Sequence, residues 1–392
     1  MELSSTTLSP APTIVCSNCN RVYAAEHIPT YATCCNQPLI LKYAGPGGLT
    51  KEVLLHREKT MWRYWEMLPL RDERNKVSLG EGMTPILRLS NLEREYGYQQ
   101  LLIKDESFNP TGSFKARGLS VAISKAKELG IQQCIIPTAG NAGGAAAAYC
   151  AKAGIKCTVV MPRHTPAVFK TECELYGADL LLVDGLINDC AKRVEQLKEK
   201  SYYFDLSTLK EPYRLEGKKT MGYEIAEQSA WQLPDYIFYP AGGGTGLIGI
   251  WKAFQEMLQL EWITGPLPKM IAVQAQNCSP LLHYQQDPIN WKDTFVPHTT
   301  IANGLAVPYP FGMKMMQQVL QHSGGSVISI SEKEIVSGVR EIARKEGILV
   351  APEGAALWTA VRHLEKQGIV SIQNSILLLN TGSGYKYLEN LV

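Results

Sequence analysis

The sequence predicts an α/β protein built on parallel sheet with helices on both faces, preceded by a small Cys-containing segment. Three observations point there. Apolar, strand-like runs alternate with helix-like runs from about residue 99 onward. Gly-rich junctions, NPTGSFK, TAGNAGG, AGGGTG and NTGSG, recur in strand-to-helix positions. Four of the ten Cys crowd between Cys16 and Cys35. Strands alternating with helices of this length form parallel sheet, because each return crossover needs a helix.

In chain order, residues 1–45 hold the clustered Cys and run into the turn-forming AGPGG. The run 51–68 has helical spacing with Trp62, Trp65 and Leu68 on one face. QQLLIKDE (99–106) reads as a strand and 113–130 as a helix stopped at Gly130. CIIPTAG (134–140) is strand and turn, and the Ala-rich 141–154 is a helix ended by Gly154. KCTVVMP (156–162) is a strand, 165–177 a helix and ADLLLVDG (178–185) a strand. IAVQAQ, VISIS and SILLLNTG follow as strands with helices between.

Composition narrows the function. With 392 residues and 45% hydrophobic content the chain has ample material for a core and two to three domains. Lys plus Arg (39) nearly balance Asp plus Glu (37), so no nucleic-acid footprint is expected. No apolar run reaches the roughly 18 residues a bilayer span needs, so no membrane partner is expected. The start, MELSSTTLSPAPTIV, lacks the pattern of a secretory signal. The six scattered Cys sit mostly in apolar surroundings, as buried thiols do in a reducing, cytoplasmic compartment.

The chemistry starts at AGGGTG (241–246). Glycines let backbone N–H groups close on a phosphate at a helix N-terminus. Gly242, Gly243, Gly244, Thr245 and Gly246 therefore read as a phosphate cup, against the plainer reading of a strand-to-helix turn. Gly244, Gly246 and Gly249 also fit GxGxxG, which raises a nicotinamide dehydrogenase as a competing class. That fingerprint wants an acidic residue near the end of the next strand, and IAVQAQ ends in Gln276. In NPTGSFKARG, Lys115 falls just inside a helix after a Gly-containing turn, where the helix dipole favours a neutral, nucleophilic amine. Most lysines near turns are solvated, so position alone leaves a covalent role open.

These stretches together resemble the fold-type II pyridoxal-5′-phosphate (PLP) enzymes, and among them the threonine synthases, from about residue 16 to 388. NPTGSFK is similar to the cofactor-lysine motif, GGGTG to the cofactor-phosphate cup, TAGNAGG to a substrate-carboxylate loop and NTGSG to the segment facing the pyridine nitrogen. EPYRLEGKKTMGYE (211–224) also resembles a threonine-synthase segment. The resemblance implies two doubly wound parallel-sheet domains: a large PLP-binding one (46–130 and 206–392) and a smaller inserted one (131–205), with 1–45 as a ribbon-like segment. It implies Lys115 as the covalent and acid–base group, and Asn141 and Thr381 on the cofactor ring. Thr111, Thr138, Ala139, Gly140, Arg214 and Lys218 then fall to the substrate. By residue type alone, Asn141 and Thr381 are equally good as caps, and Lys219 as a surface charge.

The implied reaction converts O-phospho-L-homoserine and water to L-threonine and phosphate, in a homodimer. Three departures keep a threonine/serine dehydratase or a β-replacement synthase as alternatives: Ala116 replaces the Asp usual after the lysine, the carboxylate loop is poor in Ser and Thr, and an Asn often found ahead of the Pro-x-Arg unit is missing. A non-catalytic binding protein derived from such an enzyme is a further class, opposed by the joint presence of Lys115, Asn141 and Thr381. Cys16, Cys19, Cys34 and Cys35 resemble the ribbon at the front of some threonine synthases. Zinc ribbons use two C-x2-C pairs, whereas here Ala32 stands where a Cys would complete the second. A zinc site and a metal-free ribbon remnant both remain open.

Overall fold

The computed structural model describes residues 11–24 and 30–391. Most of the segment read as lacking a secretory signal, residues 1–10, lies outside them. The strands in chain order are β1 (Thr13–Cys16), β2 (Val22–Tyr23), β3 (Leu39–Lys42), β4 (Ile86–Arg88), β5 (Gln100–Asp105), β6 (Gln133–Pro137) and β7 (Lys156–Pro162). They continue with β8 (Asp179–Val183), β9 (Phe204–Asp205), β10 (Tyr236–Pro240), β11 (Lys269–Ala275), β12 (Ser326–Ile330) and β13 (Ser375–Asn380).

Three sheets result. β2–β1–β3 is an antiparallel ribbon. A four-stranded sheet of order β8–β7–β6–β9 is wholly parallel. A six-stranded sheet of order β12–β11–β10–β13–β5–β4 is parallel except at its edge, where β4 runs antiparallel to β5. The sequence explains the order. β10 is YIFYP with every residue buried, and β11 and β13 are almost as apolar, as strands covered on both faces must be. The edge strand β8 is only half-buried. The Pro352–Lys366 helix packs across β10 to β13, and the Lys115–Glu128, Tyr213–Gln228 and Thr245–Gln259 helices pack on one another in series. No described helix is long and apolar enough to cross a membrane.

The α/β class and the alternation of elements agree with the sequence reading, with bounds shifted by one or two residues. One element differs. The run 51–68 is not a continuous helix but a short α-helix, Lys51–Leu55, followed by a kinked 3-10 segment, Met61–Met67. Tertiary bonds break it: Met61 N–H donates to the Glu81 carbonyl at 2.9 Å, and the buried Arg63 guanidinium reaches back to the Leu54 carbonyl. Trp62 Nε1 is held by Glu81 Oε1 at 2.8 Å. Glu81 lies outside the window that periodicity samples.

Candidate active site

Lys115 opens the Lys115–Glu128 helix. The turn before it is tight, with Thr111 at φ 60° and Gly112 at φ 62°. It is stitched to the loop after β13: Phe114 N–H donates to the Thr381 carbonyl (3.1 Å) and Ser383 N–H to the Gly112 carbonyl (2.9 Å). The Lys115 amine lies 4.6 Å from the Phe114 ring centroid. Burial, reinforced by the Arg214 cation, brings the amine down to about 7. A large share is therefore neutral and nucleophilic at physiological pH.

The other loops converge at the carboxyl ends of the parallel strands, where such sheets bind ligands. After β6, Thr138 Oγ1 accepts the Gly140 N–H (3.2 Å) and shapes the turn into the Asn141–Ala153 helix. Asn141 Nδ2 donates to Tyr387 Oη at 3.4 Å, and its Oδ1 is buried without a partner. After β10 comes the Gly-rich loop into the Thr245–Gln259 helix. A Cβ at Gly242 would lie 2.2 Å from the Gly304 carbonyl oxygen, and one at Gly244, where φ is +78°, 2.3 Å from Met316 Sδ. Only glycine permits that approach, and it brings the backbone of Gly242, Gly243, Gly244 and Thr245 to the cavity at a helix N-terminus, where N–H groups bind anions. Gly242→Ala is expected to displace this loop at a cost of about 1–3 kcal/mol. A PLP titration followed by absorbance should show at least roughly tenfold weaker binding.

Arg214 lines the same cavity although it is 2% exposed. Its guanidinium donates to the Leu206 carbonyl, while Nε is buried without a partner. Burial lowers its proton affinity, against the carboxylates of Glu211 and Asp205. Glu211, which accepts the Tyr213 and Arg214 N–H groups at 2.7 and 3.0 Å, is pushed by burial up to about 7.

The cavity thus gathers Lys115, Thr138, Ala139, Gly140, Asn141, Arg214, Gly242, Gly243, Gly244, Thr245 and Thr381. Three residues grouped with them on sequence stand behind its wall. Lys218 is wholly buried and donates to the Phe114 carbonyl, 4.1 Å from that residue's ring centroid. Thr111 keeps Oγ1 buried without a partner and accepts from Lys386 Nζ (2.8 Å) through its carbonyl. Gly246 lies against Tyr239, whose hydroxyl a Cβ would strike at 2.0 Å. Lys219 is neither a surface charge nor a cavity group; it pairs with Glu216 (2.6 Å) and Glu256 (3.0 Å) in a buried cluster.

Other cavity residues escaped the sequence reading: Glu353, Asn303, Gly304 and Thr208. None lies in a Gly-rich strand-to-helix junction, and Glu353, next to a Pro at a helix start, looks like an ordinary first-turn acid. A larger hollow, about 530 Å³, lies beside Trp62 and Trp65 and shares no residue with this cavity.

Ala116 puts no carboxylate next to Lys115 in the sequence, but the following residue supplies a strong anchor. Arg117, 0% exposed, binds Glu106 Oε2 at 2.6 Å and Glu224 Oε1 at 2.5 Å, and Lys104 binds Glu224 at 3.0 Å. This network ties the lysine-bearing helix to β5 and to the Tyr213–Gln228 helix.

Residues 77–382 match the family described as pyridoxal-phosphate dependent enzyme. The chain is 35% identical over 379 residues to the threonine synthase of Methanocaldococcus jannaschii, covering 95% of this chain and 92% of that protein. It is 31% identical over 369 residues to the threonine synthase of Methanosarcina acetivorans, covering 94% and 90%. Among solved structures, O-ureido-L-serine synthase shares the fold with TM-score 0.64 at 20% identity, covering 78% of this chain and 91% of that one. The processed form of threonine deaminase isoform 2 from Solanum lycopersicum does so with TM-score 0.61 at 19% identity, covering 76% and 79%. The chain belongs to the pyridoxal-phosphate dependent enzymes. Within that family its relatives at 30–35% identity over most of the chain are threonine synthases.

The cavity fits the cofactor. It offers one amine of lowered proton affinity, a glycine cradle that any Cβ would fill, and the orphaned amide oxygen of Asn141. The N-terminal thiols also converge: the sulfur atoms of Cys16, Cys19, Cys34 and Cys35 all lie within 4.8 Å of one another.

Proposed function

We propose that this chain is a threonine synthase, converting O-phospho-L-homoserine and water to L-threonine and phosphate. The observation that carries the proposal is the convergence of Lys115, the Gly242–Thr245 cradle and Arg214 on one cavity, in a chain alike over most of its length to threonine synthases.

PLP, when bound, supplies an electron sink for carbanions formed on the amino acid. The chain supplies the rest. Lys115 anchors the cofactor, and the N–H groups of Gly242, Gly243, Gly244 and Thr245 hold its phosphate. Thr381 presents a neutral hydroxyl to the pyridine nitrogen, and Asn141 presents an amide to the ring. Thr138, Ala139 and Gly140 receive the substrate carboxylate. Arg214 holds the substrate phosphate with bidentate geometry, and Lys218 and Thr111 support it from behind. Once released, the Lys115 amine moves protons at the α and β carbons; phosphate leaves from the γ carbon and water adds at the β carbon.

The same reading divides the chain into a ribbon-like segment (1–45), a large cofactor domain (46–130 and 206–392) and an inserted domain (131–205), and makes it a cytoplasmic homodimer. Light scattering of the purified protein checks the last point; a monomeric mass refutes it. Phosphohomoserine and free threonine should be offered separately to the PLP-loaded protein. Equimolar phosphate and threonine from the first are expected. Production of 2-oxobutanoate and ammonia from the second, with no phosphate from the first, would make the chain a dehydratase.

The Cys cluster belongs to this reading as a zinc site. Four thiolates about one point match the donor set of a structural zinc, with Zn–S of about 2.3 Å. What supports it is that Cys34 and Cys35, though adjacent, both reach the cluster, with Cys34 Sγ 3.4 Å from Cys19 Sγ. Elemental analysis is expected to give one zinc per chain and to lose it in Cys19→Ser. Fully active protein free of metal would end the idea.

A further inference from the structure

The function proposed above leaves Lys115 alone to move every proton, yet the cavity contains a second ionisable group. Glu353 sits in the first turn of the Pro352–Lys366 helix, 4% exposed, and lines the cavity with Lys115. Its Oε1 is fixed, accepting the Gly304 N–H at 2.7 Å and the Tyr387 hydroxyl at 2.9 Å. Its Oε2 is buried and has no partner. A buried carboxyl oxygen without a donor is costly unless it carries a proton or meets a ligand.

The surroundings set its behaviour. Lys115 and Tyr387 are the titratable groups that act on it; Arg214 of the Tyr213–Gln228 helix acts on Lys115, which in turn acts on Lys218 of that helix. Burial raises the proton affinity of Glu353, against the Gly304 and Tyr387 donors and the Lys115 cation. In return, the Glu353 carboxylate raises that of Lys115, against burial and Arg214. Each group thus biases the protonation of the other.

We infer that Glu353 is the second acid–base group of this active site, with the unpartnered Oε2 as the atom that takes up and returns the proton. The inference rests on the functional reading above. A proton leaving a substrate carbon goes to the Lys115 amine. Passing it to Oε2 leaves a neutral carboxyl and a neutral amine ready for the next carbon, and the reverse transfer returns it.

The test compares wild-type holoenzyme with Glu353→Gln, which keeps an oxygen for the Gly304 and Tyr387 donors but holds no proton. Without substrate, the pH at which cofactor absorbance changes is expected to fall by about one unit, because a nearby negative charge is gone. With phosphohomoserine, kcat is expected to drop by about a hundredfold with little change in KM, and one limb of its pH profile should vanish. If that variant does not fold, Tyr387→Phe replaces it: losing a donor to the carboxylate should move the same limb to higher pH. An unmoved spectral titration and pH profile in the variant that folds overturns the inference, even if kcat has fallen, since packing alone would do that. Wild-type protein that shows no cofactor absorbance or forms no threonine overturns the functional reading instead.

Discussion

Lys115→Ala is expected to remove covalently bound cofactor and to cut threonine formation by at least about 10³-fold, since a positioned acid–base group alone contributes about 10²–10⁴. The amine sits in the cavity at about 7 because burial and Arg214 both disfavour its charge. Lys218 cannot replace it: its ammonium is turned toward the Phe114 carbonyl, behind the wall. Borohydride reduction followed by peptide mass analysis should find a pyridoxyl group on residue 115 of the wild type and none elsewhere. An adduct on another lysine, or a variant with near-normal turnover, would refute the assignment of this residue.

Arg117→Met is expected to destabilise the fold by about 3–5 kcal/mol, read as a lower urea midpoint with unchanged slope. That is a large fraction of the net stability of an ordinary domain. The guanidinium is fully buried between Glu106 and Glu224, with Thr220 Oγ1 at 3.0 Å. Without it, two buried carboxylates face the single cation of Lys104. Glu224 shows the strain the arginine relieves: burial alone would raise it, yet Arg117 and Lys104 hold it down at about 2. A depressed carboxylate stabilises above the ordinary carboxylate range and loses that contribution as pH falls toward about 2. The difference between wild type and variant should therefore be full near neutral pH and shrink in acid. Equal urea midpoints at pH 7 would mean that the network contributes little.

The parts legible in the sequence are those whose signal is local. KCTVVMP and SILLLN are strands because mainly apolar runs between turn residues have few other stable places, and they lie where the pattern puts them. The Gly-rich junctions are legible for the same reason, a local demand for backbone freedom, and all four contribute residues to the cavity. The kink after Leu55 was not legible, because the Glu81 carbonyl that takes the Met61 N–H lies outside the local pattern. Nor was Glu353, whose unusual state comes from burial against Gly304 and Tyr387, residues 49 and 34 positions away.

The amino-acid order by itself determined the α/β class, the alternation of elements and the Gly-rich junctions, since these follow from periodicity and backbone freedom within a few neighbouring residues, while the covalent lysine candidate came from the likeness of NPTGSFK to a family motif. Tertiary structure alone decided which charges face the cavity. Lys218 turned inward, Lys219 entered a buried ion cluster, Arg214 reached the site and Glu353 joined it. A side chain's desolvation and its partners are set by distant segments packed around it, and those appear only when the chain is folded.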